Sequence, residues 1–332
     1  MMNQSIKNVL VTGGAGYVGA VLVPKLLKES YKVKVLDLFI YGRNVLPKHK
    51  NLIEIVGDIR DRKLLQKELK GVDGLIHLAA ISNDPSFDLD PRLGKSVNYK
   101  ANKLLTDLAE KAGVKRFVFV STSSVYGIKK EKNVTEDLPL EPLTDYSKYK
   151  ALSEKYVLKK NSGDFTVLAI RPATVCGFSP RLRLDLSVNM LTVQALVNKK
   201  ITVFGGRQLR PNIHIEDITD LYVECLKYPK TLVGGQVFNA GYENLSVSSI
   251  ARLVKKVLAD PDIKITVTKS ADNRSYHISS EKIARILGFR PKHTVEEAIS
   301  DLVNAFRSGL MENPLDNEMY YNLKLMKKIK LN

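Results

Sequence analysis

The amino-acid sequence predicts an α/β protein, with a doubly wound parallel sheet and a smaller C-terminal α/β domain that binds substrate. Two features of the sequence predict this class. Through the first half of the chain, short apolar segments alternate with segments of helical periodicity, and the connections between them are short. After about Arg171 this alternation gives way to longer loops, such as CGFSPRLRLD and FGGRQLRPNIH. A chain of 332 residues can form one large domain or two closely connected ones.

The individual strands and helices follow from the spacing of apolar residues. Strands are predicted, in order, in NVLVTGG, KVKVLDL, NLIEIVGDI, DGLIHLAA, KRFVFVSTSSVYG and TVLAIRPATV. Helices are predicted between them in GYVGAVLVPKLLKES, RDRKLLQKELKG, VNYKANKLLTDLAEKAGV and residues 146–160. In the second half, helices are predicted at 246–258 and 280–287. The segment VFNAG at 237–241 is predicted to be a strand that rejoins the large sheet.

Charge and composition argue against several classes of protein. The formal net charge is +17, but the lysines are dispersed and no zinc-finger spacing occurs, so we do not expect nucleic-acid binding. We expect no membrane span and no signal peptide, because the apolar runs are short. The two cysteines fit neither a disulfide framework nor a metal site, and we therefore expect a cytoplasmic location and no metal. The basic segment LKLMKKIKLN at 323–332 is either a solvated tail or a surface for a membrane or a partner.

A glycine-rich segment joins the first strand to the first helix. Gly13, Gly16 and Gly19 have the spacing GxxGxxG in the segment VLVTGGAGYVGA. A helix N-terminus presents free N–H groups, and a pyrophosphate can reach them only where side chains do not block the backbone. In this strand-to-helix context the glycines predict a dinucleotide site, and the sheet is therefore expected to be of the Rossmann type.

Acidic residues at the ends of the next two strands support a dinucleotide site. Asp37 ends the second strand, 18 residues after Gly19. A carboxylate at this place accepts hydrogen bonds from the adenosine ribose and repels a 2′-phosphate, which favours NAD over NADP. Asp58 and Ile59 end the third strand, where they can flank an adenine. The alternative is an ordinary turn with a helix-capping aspartate.

A tyrosine and a lysine provide the candidate reactive groups. Tyr146 and Lys150 are spaced YxxxK in a predicted helix, so both side chains lie on one face. We expect the ammonium to lower the pKa of the phenol, which makes Tyr146 a base able to take a proton from an alcohol. A hydroxyl in STSSVYG, after the fifth strand, can hold the substrate oxygen. An exposed pair with no function is the alternative, which the neighbouring motifs make less favourable.

Taken together, these motifs resemble the extended short-chain dehydrogenase/reductase family, in the branch that modifies nucleotide sugars. The resemblance rests on TGGAGYVG, Asp37, the DI pair at 58–59, HLAA at 77–80, STSSVYG, YxxxK and RPNIHIEDI at 210–218. It implies Thr122 as the catalytic hydroxyl, Tyr146 as the acid and base, and Lys150 as its partner and a ligand of the nicotinamide ribose. It also implies contacts with NAD from the glycine segment, three strand ends and the following helix: Gly13, Gly16, Tyr17, Val18, Asp37, Asp58, Ile59, Leu78, Ala79, Ala80 and Asn98. Read alone, Asn98 could equally be a helix N-cap.

The reaction class is narrowed by one departure from the family pattern. Sugar 4,6-dehydratases of the family carry an Asp-Glu pair after the catalytic threonine, where this chain has Ser123 and Ser124. Hydroxyls cannot replace an acid and a base, so dehydration is not expected. The resemblance favours an NAD-dependent nucleotide-sugar 4-epimerase that acts through a transient 4-keto sugar. A 4-dehydrogenase or 4-reductase is the alternative, and a non-catalytic dinucleotide-binding protein is the third reading.

The second half of the chain supplies candidate ligands for the sugar nucleotide. Arg210, in RPNIHIED, resembles an arginine that holds the diphosphate, and Arg274 is a candidate second clamp. Arg181 and Arg183, in SPRLRLD, are further candidates, although each could equally form a surface ion pair. His214 is expected to be a packed core residue. Cys176 is expected to be a buried structural thiol.

Domain boundaries and assembly are expected as follows. Residues 1–175 should form the NAD-binding domain, to which the chain returns near 212–242, and residues 176–332 should bind the nucleotide-diphosphate sugar. The resemblance implies a homodimer formed through the helices near 98–112 and 146–160.

Overall fold

The computed structural model describes residues 6–269 and 275–329. Its strands are β1 (Asn8–Thr12), β2 (Lys32–Asp37), β3 (Leu52–Val56), β4 (Gly74–His77), β5 (Arg116–Val120), β6 (Thr166–Pro172), β7 (Thr174–Cys176), β8 (Lys200–Phe204), β9 (Leu209–His214), β10 (Val237–Ala240), β11 (Glu243–Ser246) and β12 (Lys264–Thr268). Its α-helices are α1 (Gly19–Lys28), α2 (Arg62–Glu68), α3 (Asp84–Asp88), α4 (Pro91–Lys95), α5 (Asn102–Lys111), α6 (Asp145–Leu158), α7 (Ser187–Asn198), α8 (Ile215–Glu224), α9 (Lys230–Val233), α10 (Val247–Leu258), α11 (Glu281–Leu287), α12 (Val295–Arg307) and α13 (Asn322–Ile329).

Seven strands form one parallel sheet, in the order β10-β6-β5-β4-β1-β2-β3. The chain adds β2 and β3 on one side of β1, and then crosses to add β4, β5 and β6 on the other side. The strand order therefore reverses at β1. In such sheets a ligand binds at the reversal point, beyond the carboxyl ends of the strands. The Rossmann-type doubly wound sheet predicted from the sequence is thus confirmed.

Both faces of this sheet are buried, as a parallel sheet with helices on each side requires. Side chains alternate along β1, so Val9 and Val11 pack into one hydrophobic core while Leu10 packs into the other. The first core lies against α1 and α8, and the second lies against α2 and α5. This double burial explains why the strands read as unbroken apolar runs.

The second half of the chain adds a smaller layer of strands and helices. β11, β9 and β7 form a three-stranded sheet, and β12 pairs with β8. Helices α7, α10 and α12 pack together around Val188, Ile250 and Ile299. The predicted segment TVLAIRPATV is divided at Ala173, because β6 belongs to the large sheet while β7 pairs with β9. The segment predicted to rejoin the large sheet forms one of its two edge strands, β10.

One helical segment differs from the sequence expectation. The predicted helix VNYKANKLLTDLAEKAGV is the C-terminal part of a longer one, in which α4 and α5 are joined by a π-helical stretch at Ser96–Ala101. A π-helical turn widens the helix and re-aims its side chains. Here it contains the buried side chain of Asn98. Among the described helices, none is long and apolar enough to cross a membrane.

Candidate active site

A cavity of about 410 Å³ lies beyond the carboxyl ends of the central strands of the large sheet. Most of the residues that the sequence pointed to line this cavity. They come from the glycine segment, the ends of β2, β3 and β4, the loop after β5, helix α6 and the segment before α7: Gly13, Gly16, Tyr17, Val18, Asp37, Asp58, Ile59, Leu78, Ala79, Ala80, Thr122, Tyr146, Lys150 and Arg181.

The glycine segment forms a cradle with no room for side chains. Gly13 has a φ of +74°, and a Cβ atom built on it would lie 2.6 Å from the backbone nitrogen of Ala79. A Cβ on Gly19 would lie 2.4 Å from the carbonyl oxygen of Gly14. At the start of α1, Val18 provides no side-chain cap, while the N–H groups of Ala20 and Val21 donate to the backbone carbonyls of Gly16 and Val18, at 2.9 and 3.2 Å. Because no side chain covers this helix N-terminus, an anion can approach the backbone there.

Asp37 is fixed beside this cradle. Its carboxylate accepts hydrogen bonds from the backbone N–H groups of Ala15 and Phe39, at 2.9 and 2.8 Å. Burial raises the pKa of Asp37, and these hydrogen bonds oppose that rise. A carboxylate has more acceptor sites than these two donors occupy, so Asp37 can still accept bonds from hydroxyls in the cavity.

Thr122 begins the loop that follows β5. Its hydroxyl caps the short 3₁₀ helix Ser123–Tyr126 by accepting a hydrogen bond from the N–H of Ser124, at 3.2 Å. The hydroxyls of Thr122 and Ser124 are 3.0 Å apart. Ser123 and Ser124 also line the cavity. The loop therefore presents hydroxyls, and no carboxylate, beside Tyr146.

Tyr146 and Lys150 lie one turn apart on α6, and both line the cavity. The α6 N-terminus is fixed by a capping box between Thr144 and Ser147, and the Thr144 hydroxyl also donates to Asp84 at 2.7 Å. The Lys150 ammonium is buried and donates to the carbonyl oxygen of Val120 at 2.6 Å. Helix α6 is thereby tied to the end of β5, which also positions Thr122.

The pKa values of this pair differ from the sequence expectation. Withdrawal from water raises the pKa of Tyr146 to about 12, although the charge of Arg183 and a hydrogen bond with Thr122 act to lower it. Burial lowers the pKa of Lys150 to about 8. The expectation that Lys150 by itself lowers the pKa of the phenol is therefore wrong for the polypeptide alone. The spacing places both side chains on the cavity wall, but desolvation is the largest influence on each pKa, and the charges that act on Tyr146 are those of Arg183 and Asp84.

The arginines of the SPRLRLD segment both line the cavity, but in different surroundings. Arg181 is buried, its guanidinium lies 3.6 Å from the centre of the Tyr41 ring, and it donates to the side-chain oxygen of Asn322. Arg183 pairs with Asp185 at 3.5 Å, and its charge acts on Tyr146. The structure thus places Arg181 with residues that follow β2, and Arg183 nearer the reactive phenol.

Three other predicted site residues do not line the cavity or are not described. Asn98 is buried, and its side chain exchanges two hydrogen bonds with the backbone of Ile81, at 2.8 and 2.9 Å. Asn98 therefore fixes the loop after β4, whose residue Ile81 lines the cavity, without lining the cavity itself. The guanidinium of Arg210 lies 5.0 Å from the centre of the Tyr276 ring, and Tyr276 lines the cavity. Arg274 lies outside the described residues.

Two further side chains singled out in the sequence lie away from the cavity. His214 is buried, and its Nδ1 accepts a hydrogen bond from the N–H of Glu216 at the start of α8. Cys176 is buried in the core of the smaller layer, and burial raises the pKa of its thiol. Their burial agrees with the interpretation of both as packed core residues.

A family comparison agrees with this geometry. The sequence profile of the NAD dependent epimerase/dehydratase family matches residues 9–241, which include the cradle, Thr122, Tyr146 and Lys150. The chain belongs to the NAD-dependent epimerase/dehydratase family. Family membership makes NAD its cofactor, and the family is the one that the sequence motifs predicted.

Individual relatives act on nucleotide sugars. The chain is 32% identical to the UDP-glucose 4-epimerase of Lactobacillus helveticus, over 89% of this chain and 94% of the relative. It is 30% identical to the UDP-glucose 4-epimerase of Corynebacterium glutamicum, over 91% and 96%. A solved structure of UDP-glucuronic acid 4-epimerase from Bacillus cereus, in complex with UDP-glucuronic acid and NAD, superposes with a TM-score of 0.81 at 27% identity, over 91% of this chain and 99% of that one. The chain is thus an NAD-dependent enzyme of the epimerase/dehydratase type.

The cavity of this family member fits NAD at the level of its own residues. The glycine cradle excludes side chains where a pyrophosphate needs backbone donors. Asp37 lies at the end of β2 with spare acceptor capacity. The Nε of Arg181 is buried without a hydrogen-bond partner among the described residues, which leaves a cationic side chain suited to an anion.

A buried polar network behind the site was not found from the sequence. Arg171 on β6 forms an ion pair with Glu154 on α6, at 2.6 Å, and donates to the hydroxyl of Tyr126 at 2.6 Å. The Tyr126 hydroxyl donates in turn to Asn239 on β10, at 2.7 Å. This network fixes α6 and the loop after β5 to the sheet. The signal in the sequence that pointed to it was Arg171, a charged residue inside the apolar segment TVLAIRPATV.

Proposed function

We propose that this chain is an NAD-dependent nucleotide-sugar 4-epimerase that acts through a transient 4-keto sugar. One observation carries the proposal: Thr122, Tyr146 and Lys150 lie in the same cavity as the glycine cradle and Asp37. A hydroxyl, a phenol and an ammonium beside a dinucleotide site are the groups needed to move a proton to and from an alcohol. The two UDP-glucose 4-epimerase relatives support the same reaction.

Each residue has a separate task in this proposal. The Thr122 hydroxyl holds the oxygen at carbon 4 of the sugar, and the phenolic oxygen of Tyr146 takes the proton from that oxygen and later returns it. The Lys150 ammonium, anchored on the carbonyl of Val120, keeps positive charge near the phenol. NAD, when bound, supplies reversible hydride transfer and the positive charge of its oxidised ring. That added charge opposes the desolvation that raises the pKa of Tyr146.

Dehydration is disfavoured by the groups next to Thr122. Removal of water from a sugar ring needs an acid and a base in addition to the tyrosine. Ser123 and Ser124 occupy that part of the cavity, and the Ser124 hydroxyl interacts with Thr122. Neutral hydroxyls cannot supply either proton-transfer role at neutral pH, so the keto sugar is expected to be reduced again instead of losing water.

The nucleotide diphosphate is assigned to the side of the cavity where Tyr276 lies. Arg210 lies against the Tyr276 ring, which brings a planar cation next to the cavity lining. An arginine fork can bind a phosphate through two hydrogen bonds. Arg183 also faces the cavity and is a second cation available to the substrate. Arg274 is retained as a candidate from its sequence position alone.

The experiment that tests the proposal uses the purified protein, NAD and a panel of UDP-, GDP-, CDP- and dTDP-sugars. NADH absorbance is followed and products are identified by NMR. A stereoisomer at carbon 4 without net NADH supports the epimerase. A keto sugar with stoichiometric NADH contradicts it in favour of the 4-dehydrogenase. No turnover of any sugar, with NAD bound, would favour the non-catalytic reading.

We also propose the domain division and the homodimer expected from the sequence. Residues 1–175, with a return near 212–242, form the NAD-binding domain, and residues 176–332 contribute the sugar-binding domain. The helices near 98–112 and 146–160 carry a surface of stacked aromatic and basic side chains, in which Lys103 lies 4.7 Å from the centre of the Tyr156 ring. Light scattering of the purified protein distinguishes a dimer of about twice the chain mass of 37.1 kDa from a monomer.

A further inference from the structure

The C-terminal helix α13 reaches the active-site cavity from the far end of the chain. Asn322, its first residue, is buried and lines the cavity. The side-chain oxygen of Asn322 accepts hydrogen bonds from Arg181 and from the Tyr41 hydroxyl, the latter at 3.0 Å. Its side-chain nitrogen donates to the Ser82 hydroxyl at 2.8 Å, and its backbone N–H donates to Asp185 at 2.8 Å. One side chain thus joins the loop after β2, the loop after β4 and the segment before α7.

These contacts determine how Arg181 and Tyr41 are held. Arg181 is a buried cation, and the Tyr41 ring supports it on one face. Among the described residues, its Nε has no hydrogen-bond partner. A buried guanidinium with spare donors is costly unless an anion or an acceptor is supplied. Asn322 supplies one acceptor from the protein, which leaves the remaining donors available to a bound molecule.

The position of this cluster indicates which part of the ligand it faces. Tyr41 and Leu38 line the cavity in the loop that follows Asp37, the residue suited to the adenosine ribose. Arg181 therefore lies at the end of the cavity that accommodates the adenosine and pyrophosphate. The sequence made Arg181 a candidate ligand of the sugar nucleotide, or a member of a surface ion pair; its place beside Tyr41 favours the cofactor instead.

The same helix also reaches the catalytic end. Met326, one turn after Asn322, lines the cavity and packs with Ile81, Phe87 and Leu93, and Tyr146 packs against this cluster. Helix α13 therefore spans the cavity from the Tyr41 side to the Tyr146 side. No other described segment C-terminal to residue 277 lines it.

We propose that α13 is a clasp over the cofactor cavity, and that Asn322 is the positioning residue that holds Arg181 and Tyr41 against the adenosine end and so retains NAD. In this arrangement Asn322 acts through Arg181, and NAD leaves only after the contacts between α13 and the loops at 41 and 82 open. The inference rests on NAD as the cofactor and is independent of which sugar is the substrate.

The test measures cofactor release in the absence of any sugar. The full-length protein is loaded with NADH, excess NAD is added, and the loss of protein-bound NADH fluorescence gives the release rate. Asn322→Ala removes the acceptor for Arg181 and the donor to Ser82, and we expect NADH release to become about tenfold faster. Lys327→Ala, an exposed change on the same helix, is the matched control and should leave the rate unchanged.

NADH release from further variants distinguishes a helix that retains the cofactor from one that only stabilises the fold. Tyr41→Phe removes only the hydroxyl that bonds to Asn322, and we expect about threefold faster release, with the double variant no faster than Asn322→Ala alone. Asn322→Asp keeps the acceptor for Arg181, and its release rate should lie between those of the wild type and Asn322→Ala.

The thermal unfolding temperature is measured for each variant with and without NADH, so that loss of stability is not mistaken for loss of retention. A clasp requires that the increase in this temperature caused by NADH shrinks in Asn322→Ala. The proposal is overturned if NADH release is unchanged in Asn322→Ala. It is also overturned if the variant only loses stability, by the same amount with and without NADH. Because no sugar is present, neither outcome depends on whether the epimerase proposal holds.

Discussion

The two ends of the cavity are built in different ways. One end contains the cradle from Gly13 to Gly19, where the wall is backbone and close contacts exclude side chains. The reactive end is formed by side chains from separate elements, with Thr122 after β5 and Tyr146 and Lys150 on α6. Backbone donors give a fixed anion site that any sequence with the same glycines can make. Side chains give a site whose chemistry depends on their individual surroundings.

Because of this difference, substitutions at the two ends should have different effects. At the cradle, added atoms collide with backbone, so the damage is geometric and affects cofactor binding. At the reactive end, removal of one polar atom leaves the shape unchanged and affects proton transfer. Variants at the two ends should therefore change different measured quantities, NAD affinity in one case and turnover in the other.

The largest effect is expected at the reactive end. Tyr146→Phe removes the hydroxyl that exchanges the proton and keeps the ring that packs against Phe87. We expect turnover to fall by about 10³-fold, while NAD affinity stays within about twofold of the wild type. Tyr149→Phe, on the same helix but outside the cavity lining, is the matched control. Retained turnover in Tyr146→Phe would show that the phenol is not the base.

The next effect concerns stability at the reactive end. The fall of the Lys150 pKa from its ordinary value of 10.5 to about 8 corresponds to about 3 kcal/mol. Because the folded-state pKa is the lower one, the unfolded chain binds more protons between pH 8 and 10.5, and wild-type stability rises through this window. That contribution is complete above pH 10.5 and is lost as the pH falls through 8.

Lys150→Met isolates this contribution. We expect the wild type to gain up to about 3 kcal/mol in free energy of unfolding relative to Lys150→Met between pH 7 and 10.5. At pH 7 the variant should be inactive. Its free energy of unfolding should rise because no buried ammonium is present, and should fall by the smaller cost of leaving the Val120 carbonyl without its donor. Urea denaturation at both pH values gives the comparison. If the free energies of unfolding of the two proteins changed with pH in parallel, burial would not lower the pKa of Lys150.

At both ends of the cavity, the sequence could predict the local patterns but not the contacts between distant parts of the chain. The cradle and the Tyr146–Lys150 pair are local patterns, and spacing alone places their residues together. Asn322 lies 281 residues from Tyr41, and their contact follows only from how the whole chain packs. The shift in the Tyr146 pKa was predicted with the wrong sign for a related reason. Spacing gives the distance between two charges, but desolvation depends on everything packed around them.

At the cradle, Gly13→Ala should reduce NAD affinity by about thirtyfold. The alanine would adopt an unfavourable positive φ, and its Cβ would displace the backbone of Ala79. Titration with NAD measures the affinity. Gly113→Ala is the control, because it has a similar φ of +77° with nothing within 4 Å of the added atom. If both variants lose stability equally and bind NAD normally, the cradle does not exclude side chains for the sake of the cofactor.

The smallest effect is expected at Arg210, which lies beside the cavity residue Tyr276 and is proposed to bind the diphosphate of the sugar nucleotide. Arg210→Lys keeps a positive charge near Tyr276 but replaces the planar fork with a single ammonium. We expect KM for the sugar nucleotide to rise about tenfold, with kcat and NAD affinity nearly unchanged, because the diphosphate is distant from the reacting carbon. Arg252→Lys, an exposed change on α10, provides the control in steady-state kinetics. A fall in kcat with KM unchanged would instead place Arg210 at the reactive end, and the division of the cavity would have to be redrawn.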